Sequence, residues 1–245
     1  MNFRVEKATF LNQYPDKEPS IDGDKSTEDS VKFIEKTKDP FAIPEAECGS
    51  CFKKVTNDEI LSLVLKCANF AAEKHSRQRR KDIDETPYIN HPIGVANILT
   101  NEGEVYNPVV ILAALLHDTV EDTNTSIEEI EKEFGYTVSK VVAEVTDDKT
   151  LPKEERKRLQ IENAKNRSHE AKLVTLADKI YNLRDLQCKG PPVGWSDTRV
   201  REYFQWAKKV VDKCRGTNLA LEIKLDNIFK EEIQIRGLRH ISKIL

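Results

Sequence analysis

Eight consecutive apolar residues, Val109 to Leu116, run directly into His117-Asp118-Thr119-Val120-Glu121-Asp122. The junction constrains the fold more than any other stretch of the chain. The run opens after Asn107-Pro108 and shows no alternation, so it reads as a helix that is apolar all round and therefore buried. If one helix continues to Asn124, residues four apart stack on one face. His117 then lies over Glu121, and Asp118 over Asp122. Carboxylates on a buried helix cost several kcal/mol each when unpaired. Either the helix end emerges into solvent, where charge is cheap, or a cation offsets the charge, and a metal ion is the simplest candidate.

The helical period recurs through most of the chain. Thr56 or Asn57 caps a first helix, with Asp58 and Glu59 in its first turn and an apolar stripe from Ile60 to Ala72. A loop spans Ser76 to Asn90. Pro92, preceded by His91, opens a second helix, and the Val109 run is the third. Ser126 and Glu129 form a capping box for a short fourth helix that Gly135 ends. Val138 to Val145 carry a fifth, Pro152 to about Asn166 a charged sixth, and Ala171 to Leu186 a seventh with a wide apolar face. Ser196 caps an eighth through about Cys214, and Asn218 to about Glu232 is a ninth. The remainder, IQIRGLRHISKIL, is either a short helix or a docked tail. No segment alternates for more than three or four residues, so the class is all-α with about nine to ten helices.

Residues 1–52 read differently. Seven Lys/Arg against eleven Asp/Glu leave residues 1–50 at −4, and the remaining 32 and 31 leave 51–245 at +1. With no sustained period, 1–52 reads as a disordered acidic tail with a short helix near Thr27–Lys36, and 53–245 as the folded domain. Cys48-Gly-Ser-Cys51 lacks the two further ligands of a zinc site and the βαβ setting of a redox motif, so it reads as chance cysteines. Five cysteines without framework spacing point to free thiols in a reducing compartment. No apolar run spans a bilayer and no signal core opens the chain, so the expectation is cytoplasmic, with no membrane partner. A net charge of −3 gives no nucleic-acid signal. Nothing in the sequence sets an oligomeric state. Glycine-rich phosphate loops, GxSxG and HExxH are absent from the 245 residues.

The chemistry-bearing residues gather on helix ends. His91 sits in the rigid turn Pro87-Tyr88-Ile89-Asn90-His91-Pro92, His117 and Asp118 follow the apolar run, and Asp178 lies inside the seventh helix. Each alone has a plain alternative: a core or capping histidine, or an aspartate half-exposed or paired with Lys179 or Arg184. Together they offer two imidazoles and two carboxylates from three helices. Mixed N/O ligation without thiolate suits Mn²⁺, and also Mg²⁺, Fe²⁺ or Zn²⁺. Four protein ligands leave coordination positions for water. Arg77, Arg79, Arg80 and Lys81 form a basic knot that reads as a solvated charge run or a nuclear address.

A separate His, an HD dipeptide and a later Asp resemble the HD-domain metal-dependent phosphohydrolases. The surrounding words are more specific. Arg80-Lys81 ahead of Thr86-Pro87-Tyr88-Ile89-Asn90-His91-Pro92, then His117 to Asp122, then Ala177-Asp178-Lys179-Ile180-Tyr181-Asn182-Leu183 resemble the hydrolase domain of RelA/SpoT proteins. Thr146 to Pro152 and Glu202 to Ala207 match further, and the likeness covers roughly residues 57–230. No motif residue departs from the pattern. The resemblance implies an HD-domain helical bundle that removes the 3′-pyrophosphate of guanosine 3′,5′-bis(diphosphate), ppGpp, giving GDP and pyrophosphate, with Mn²⁺ as the usual metal. It leaves no room for a synthetase domain. Animal relatives are also associated with removing the 2′-phosphate of NADPH, so the substrate class is a nucleotide. The resemblance assigns catalysis to Glu121 and Asp122, one handling water and the other the leaving group; spacing alone shows only that they are near the ligands. It makes Arg80 and Lys81 the pair flanking the purine and its phosphates, Asn182 a ribose or phosphate contact, and Arg199 and Tyr203 further substrate-facing positions. Tyr203 equally fits core packing beside Phe204 and Trp206, and Asp122 equally fits a cap on the following turn.

Overall fold

Asn107 and Pro108 start the central helix as their chemistry dictates. The Asn107 side chain accepts from the Val109 N–H, and Pro108 sits where a missing N–H costs nothing. The computed structural model describes residues 40–41 and 56–242, with side chains through 231. Its helices are α1 (Asn57–Lys74), α2 (Asn90–Asn101), α3 (Pro108–Leu116), α4 (Thr119–Asp122), α5 (Ile127–Phe134), α6 (Tyr136–Val145) and α7 (Lys153–Asn163). A 3-10 turn (Ala164–Asn166) leads to α8 (His169–Cys188), α9 (Asp197–Lys213) and α10 (Leu219–Ser242). Among the described residues the class is all-α. None of these helices is long and apolar enough to cross a membrane. The expected tail, its helix near Thr27–Lys36 and Cys48/Cys51 lie outside the described residues.

The core forms around α3, whose Val110, Leu112, Ala113, Ala114 and Leu116 have no exposed surface. It packs against α1, α2, α6 and α8. Truncating a leucine in such a site costs about 2–5 kcal/mol. The caps hold the bundle's elements to length. Thr56 and Glu59 form a reciprocal capping box on α1, while Ser126, Ser168 and Ser196 cap α5, α8 and α9. Gly135, at φ 90°, turns the chain straight from α5 into α6.

Besides shifts of two or three residues at the ends of α7 and α8, three differences from the sequence reading matter. The helix expected to run from Val109 to Asn124 stops at Leu116. Thr119 Oγ1 donates to the Leu116 carbonyl at 2.6 Å and His117 Nδ1 to the Ala114 carbonyl at 2.8 Å. These side chains take carbonyls that the next turn's N–H groups would have used, and the chain tightens at Asp118 (φ −99°, ψ −6°) before α4. Second, α2 begins at Asn90 rather than Pro92, so His91 lies in its first turn. Third, α10 continues to Ser242, resolving the open reading of the C-terminal stretch as one helix.

Two local features aim side chains at one place. In the 76–89 loop, Arg79 pairs with Pro87 in an isolated antiparallel bridge, and Asp82 accepts from the Thr86 N–H and hydroxyl. The closed loop carries Arg80 and Tyr88. At Gly94 of α2, an added Cβ would lie 2.0 Å from Tyr181 Cε2 of α8. Only glycine lets the Tyr181 ring lie there, edge-on to His91 with centroids 4.8 Å apart.

Candidate active site

Three helix ends and the middle of α8 bring four ligand-type atoms together. His91 Nε2 lies 3.2 Å from His117 Nε2, 3.4 Å from Asp118 Oδ2 and 3.2 Å from Asp178 Oδ1. His117 Nε2 lies 3.1 Å from Asp118 Oδ2 and 3.8 Å from Asp178 Oδ1. Donors held about 2.0–2.2 Å from one divalent ion stand about 3.0–3.5 Å apart in tetrahedral or octahedral arrays. Four of the five spacings fall in that range; the fifth, His117 to Asp178 at 3.8 Å, lies just beyond it, so His91, His117 and Asp118 form the tight group and Asp178 closes it through His91. The N₂O₂ donor set suits a divalent metal. Two imidazole nitrogens facing each other at 3.2 Å need a positive charge between them or a proton on one.

The electrostatics agree. A carbonyl can only accept, so the bond to Ala114 fixes the proton on His117 Nδ1 and turns Nε2 toward the site. Burial works against an imidazolium at His117, yet Asp118 and Asp178 outweigh it and hold its pKa up at about 9. Burial alone would raise Asp118 and Asp178. For Asp118 the two imidazoles, and for Asp178 Lys179 together with them, prevail and keep both carboxyls below the ordinary range. The site thus favours added positive charge. Tyr88 donates to Asp118 Oδ2 at 2.7 Å, and its phenol is pushed far up by burial and by Asp118. Asp178 also meets the plain alternative: Lys179 Nζ lies 2.7 Å from Oδ2, while Oδ1 faces the histidines and accepts from Asn182 at 2.6 Å.

Glu121, Arg80 and Asn182 share the pocket wall with these four. Burial, followed by the Asp147, Asp118 and Asp122 carboxylates, raises Glu121 to about 7. At that value a carboxyl can take and return a proton near neutrality. Arg80 bonds Asn182 Oδ1 and Asp185 Oδ2, both at 2.9 Å, and its guanidinium lies over the Tyr88 and Tyr181 rings. Both ends of the Asn182 amide are therefore engaged, linking Arg80 to Asp178.

Asp122, Lys81, Arg199 and Tyr203 stand off the pocket wall. Successive residues of a helical turn diverge, so Glu121 and Asp122 cannot both face the pocket. Asp122 accepts instead from Gln78 at 2.9 Å and pairs with Lys149. Lys81 is exposed, and its carbonyl accepts from the Val193 N–H at 2.8 Å, tying the Arg80 loop to the loop before α9. Arg199 stacks over Trp195 at 4.4 Å, and Tyr203 packs between Trp195 and Trp206. Burial pushes the Tyr203 phenol up to about 12. Sequence reasoning gave no role to Tyr88, although it stands in the Pro87-to-Pro92 turn. It also passed over Arg167, Gln160 and Thr175, which line the pocket and carry no periodic signal.

The bundle and its His–HisAsp–Asp cluster define an HD domain, and a protein-family model described as an HD domain matches residues 67–199. The chain is 63% identical over 171 residues to a Xenopus tropicalis protein named guanosine-3′,5′-bis(diphosphate) 3′-pyrophosphohydrolase MESH1, covering 70% of this chain and 95% of the relative. The human protein of the same name is 60% identical over 175 residues, covering 71% and 95%. A solved structure of a metazoan orthologue of SpoT, described as hydrolysing ppGpp and playing a role in starvation responses, superposes with a TM-score of 0.68 at 56% identity. That match covers 70% of this chain and 96% of the other. The chain belongs to the HD-domain family, within the group of these metazoan SpoT orthologues.

Proposed function

We propose that the protein hydrolyses ppGpp to GDP and pyrophosphate at a divalent ion, with Mn²⁺ as the resident metal. The observation that carries this reading is the convergence of His91, His117, Asp118 and Asp178 beside Glu121 in one pocket. The names of relatives at 60% identity and above support the same substrate. The helices from Asn57 onward and the family match over 67–199 support taking 53–245 as one HD domain.

His91, His117, Asp118 and Asp178 would hold the divalent ion, which would supply a Lewis acid for the phosphoryl oxygen and for the attacking water. In the reaction, water oxygen bonds to the phosphorus on the ribose 3′-oxygen, the 3′-O–P bond breaks, and the 3′-oxygen takes up a proton. Glu121, raised to about 7, accepts the proton from the attacking water. Asp122 acts by holding α4 in place through Gln78 and Lys149, which keeps Glu121 aimed at the pocket. Arg80, poised over two tyrosine rings, takes the purine and its phosphates, with Lys81 on the same loop and Arg199 and Tyr203 on α9, which follows the loop tied to it.

Purified protein with Mn²⁺ and ppGpp is expected to release pyrophosphate and GDP in equal amounts. No pyrophosphate release under these conditions sinks the reading. A parallel assay of orthophosphate from NADPH ranks the alternative substrate by kcat/KM.

A further inference from the structure

Arg167 lies at the joint between the 3-10 turn and α8, and lines the same pocket. Its charge has no counter-ion within ion-pair range among the described residues. Among the described residues, three other half-buried arginines pair with a carboxylate: Arg80 with Asp185, Arg156 with Glu121 and Arg184 with Glu102. Arg167 has one hydrogen bond, from Nη1 to the Thr175 hydroxyl at 3.0 Å, and its Nε is buried without a partner. Burial pulls the guanidinium below its ordinary value, and the acids that oppose this stand outside ion-pair range. Two of those acids are engaged elsewhere, Asp147 by Gln160 and Glu144 by the Ser168 N–H. A buried guanidinium orients readily but is costly to leave uncompensated. Thr175 orients it without neutralising it, because its hydroxyl donates to the Ala171 carbonyl at 2.7 Å.

The position along α8 says which part of a substrate it meets. Thr175, Asp178 and Asn182 are three and four residues apart and share one face of the helix. Arg167 is fixed to the Thr175 end and Arg80 to the Asn182 end. The two guanidiniums therefore flank the metal ligand Asp178, separated by about 10 Å along the axis at about 1.5 Å per residue. If the nucleoside lies toward Arg80 and the attacked phosphorus beside Asp178, a phosphate linked beyond that phosphorus points to Arg167.

We propose that Arg167 binds the terminal phosphate of the ribose 3′-diphosphate and the pyrophosphate formed from it, so that it selects diphosphate over monophosphate esters. This rests on the hydrolase reading above. The test titrates metal-loaded wild-type, Arg167→Met and Arg167→Lys proteins with inorganic pyrophosphate and with orthophosphate. It also compares kcat/KM on ppGpp and on the guanosine 5′-diphosphate 3′-monophosphate. Arg167→Met should weaken pyrophosphate binding and lower kcat/KM on ppGpp by about 10- to 100-fold, with orthophosphate and the monophosphate ester changing less than about threefold, as expected for one charge-assisted contact. Arg167→Lys should recover part of the loss, which a purely structural role would not produce. Equal losses on both esters, or unchanged pyrophosphate affinity, would overturn the proposal. If wild-type protein hydrolyses neither ester yet binds pyrophosphate through Arg167, the hydrolase reading fails and the anion site stands.

Discussion

Replacing Glu121 with glutamine should remove activity and stabilise the protein by an amount that grows between about pH 4.5 and pH 7. The two Glu121 oxygens receive long contacts, 3.4 Å from the Asp147 N–H and 3.4 Å from Arg156 Nη1. Burial and then three neighbouring carboxylates raise its pKa from 4.5 to about 7. A pKa unit corresponds to about 1.4 kcal/mol, so ionising Glu121 in the fold costs up to about 3 kcal/mol. Losing the Arg156 contact returns about 0.5–1 kcal/mol, leaving a net gain of about 2 kcal/mol. The folded protein holds this proton to higher pH than the unfolded chain does. The stability of the wild type is therefore complete below pH 4.5 and declines until about pH 7. Glutamine does not titrate. Its advantage should be absent at acid pH and amount to about 4–8 °C in Tm at alkaline pH, at about 2–4 °C per kcal/mol for a domain of this size. Thermal melts of both proteins across pH, in chelator because a bound cation would draw Glu121 down, provide the measurement. A Tm difference that does not change with pH, or a less stable glutamine variant above pH 7, refutes the electrostatic account.

Asp118→Ala should abolish turnover and leave substoichiometric metal; full occupancy by elemental analysis would contradict its role as a ligand. Tyr88→Phe removes the 2.7 Å bond to Asp118 and should weaken metal affinity about 10- to 100-fold by chelator competition, while an unchanged affinity would reduce Tyr88 to packing. Gly94→Ala places a methyl 2.0 Å from the Tyr181 ring and should destabilise by about 1–3 kcal/mol in urea unfolding. A neutral result there would mean that the ring steps aside without loss.

What was legible in the sequence was local. The Val109–Leu116 run, the caps at Thr56, Ser126 and Ser196 and the stop at Gly135 each depend on residues within one turn; the reciprocal capping box expected at Ser126 and Glu129 is found instead at Thr56 and Glu59. The candidate ligands His91, His117 and Asp118 stand beside such signals, whereas Asp178 lies inside α8. The pocket's further wall was not. Arg167 arrives from an irregular joint and finds Thr175 through a contact that no period announces. Lys179 was legible only as a possible partner of Asp178; it makes that pair and is 7% exposed, with the Trp206 ring 4.7 Å from it. The resemblance makes Asn182 a ribose or phosphate contact; that tertiary packing engages both ends of its amide, through Arg80 and Asp178, was not legible.

The helix break that the apolar run concealed explains how the adjacent side chains of His117 and Asp118 face one point. On an unbroken helix, residues i and i+1 diverge and cannot face a common point. Here His117 keeps helical angles while Asp118 relaxes to φ −99°, ψ −6°, and His117 Nε2 and Asp118 Oδ2 come within 3.1 Å. The bond from Thr119 to Leu116 and that from His117 to Ala114 hold the break open. The same break redirects the next turn, so Glu121 reaches the pocket wall while Asp122 is carried to Gln78 and Lys149. The apolar half of the stretch anchors the site in the core, and the local loss of helix lets His117 and Asp118 face one point.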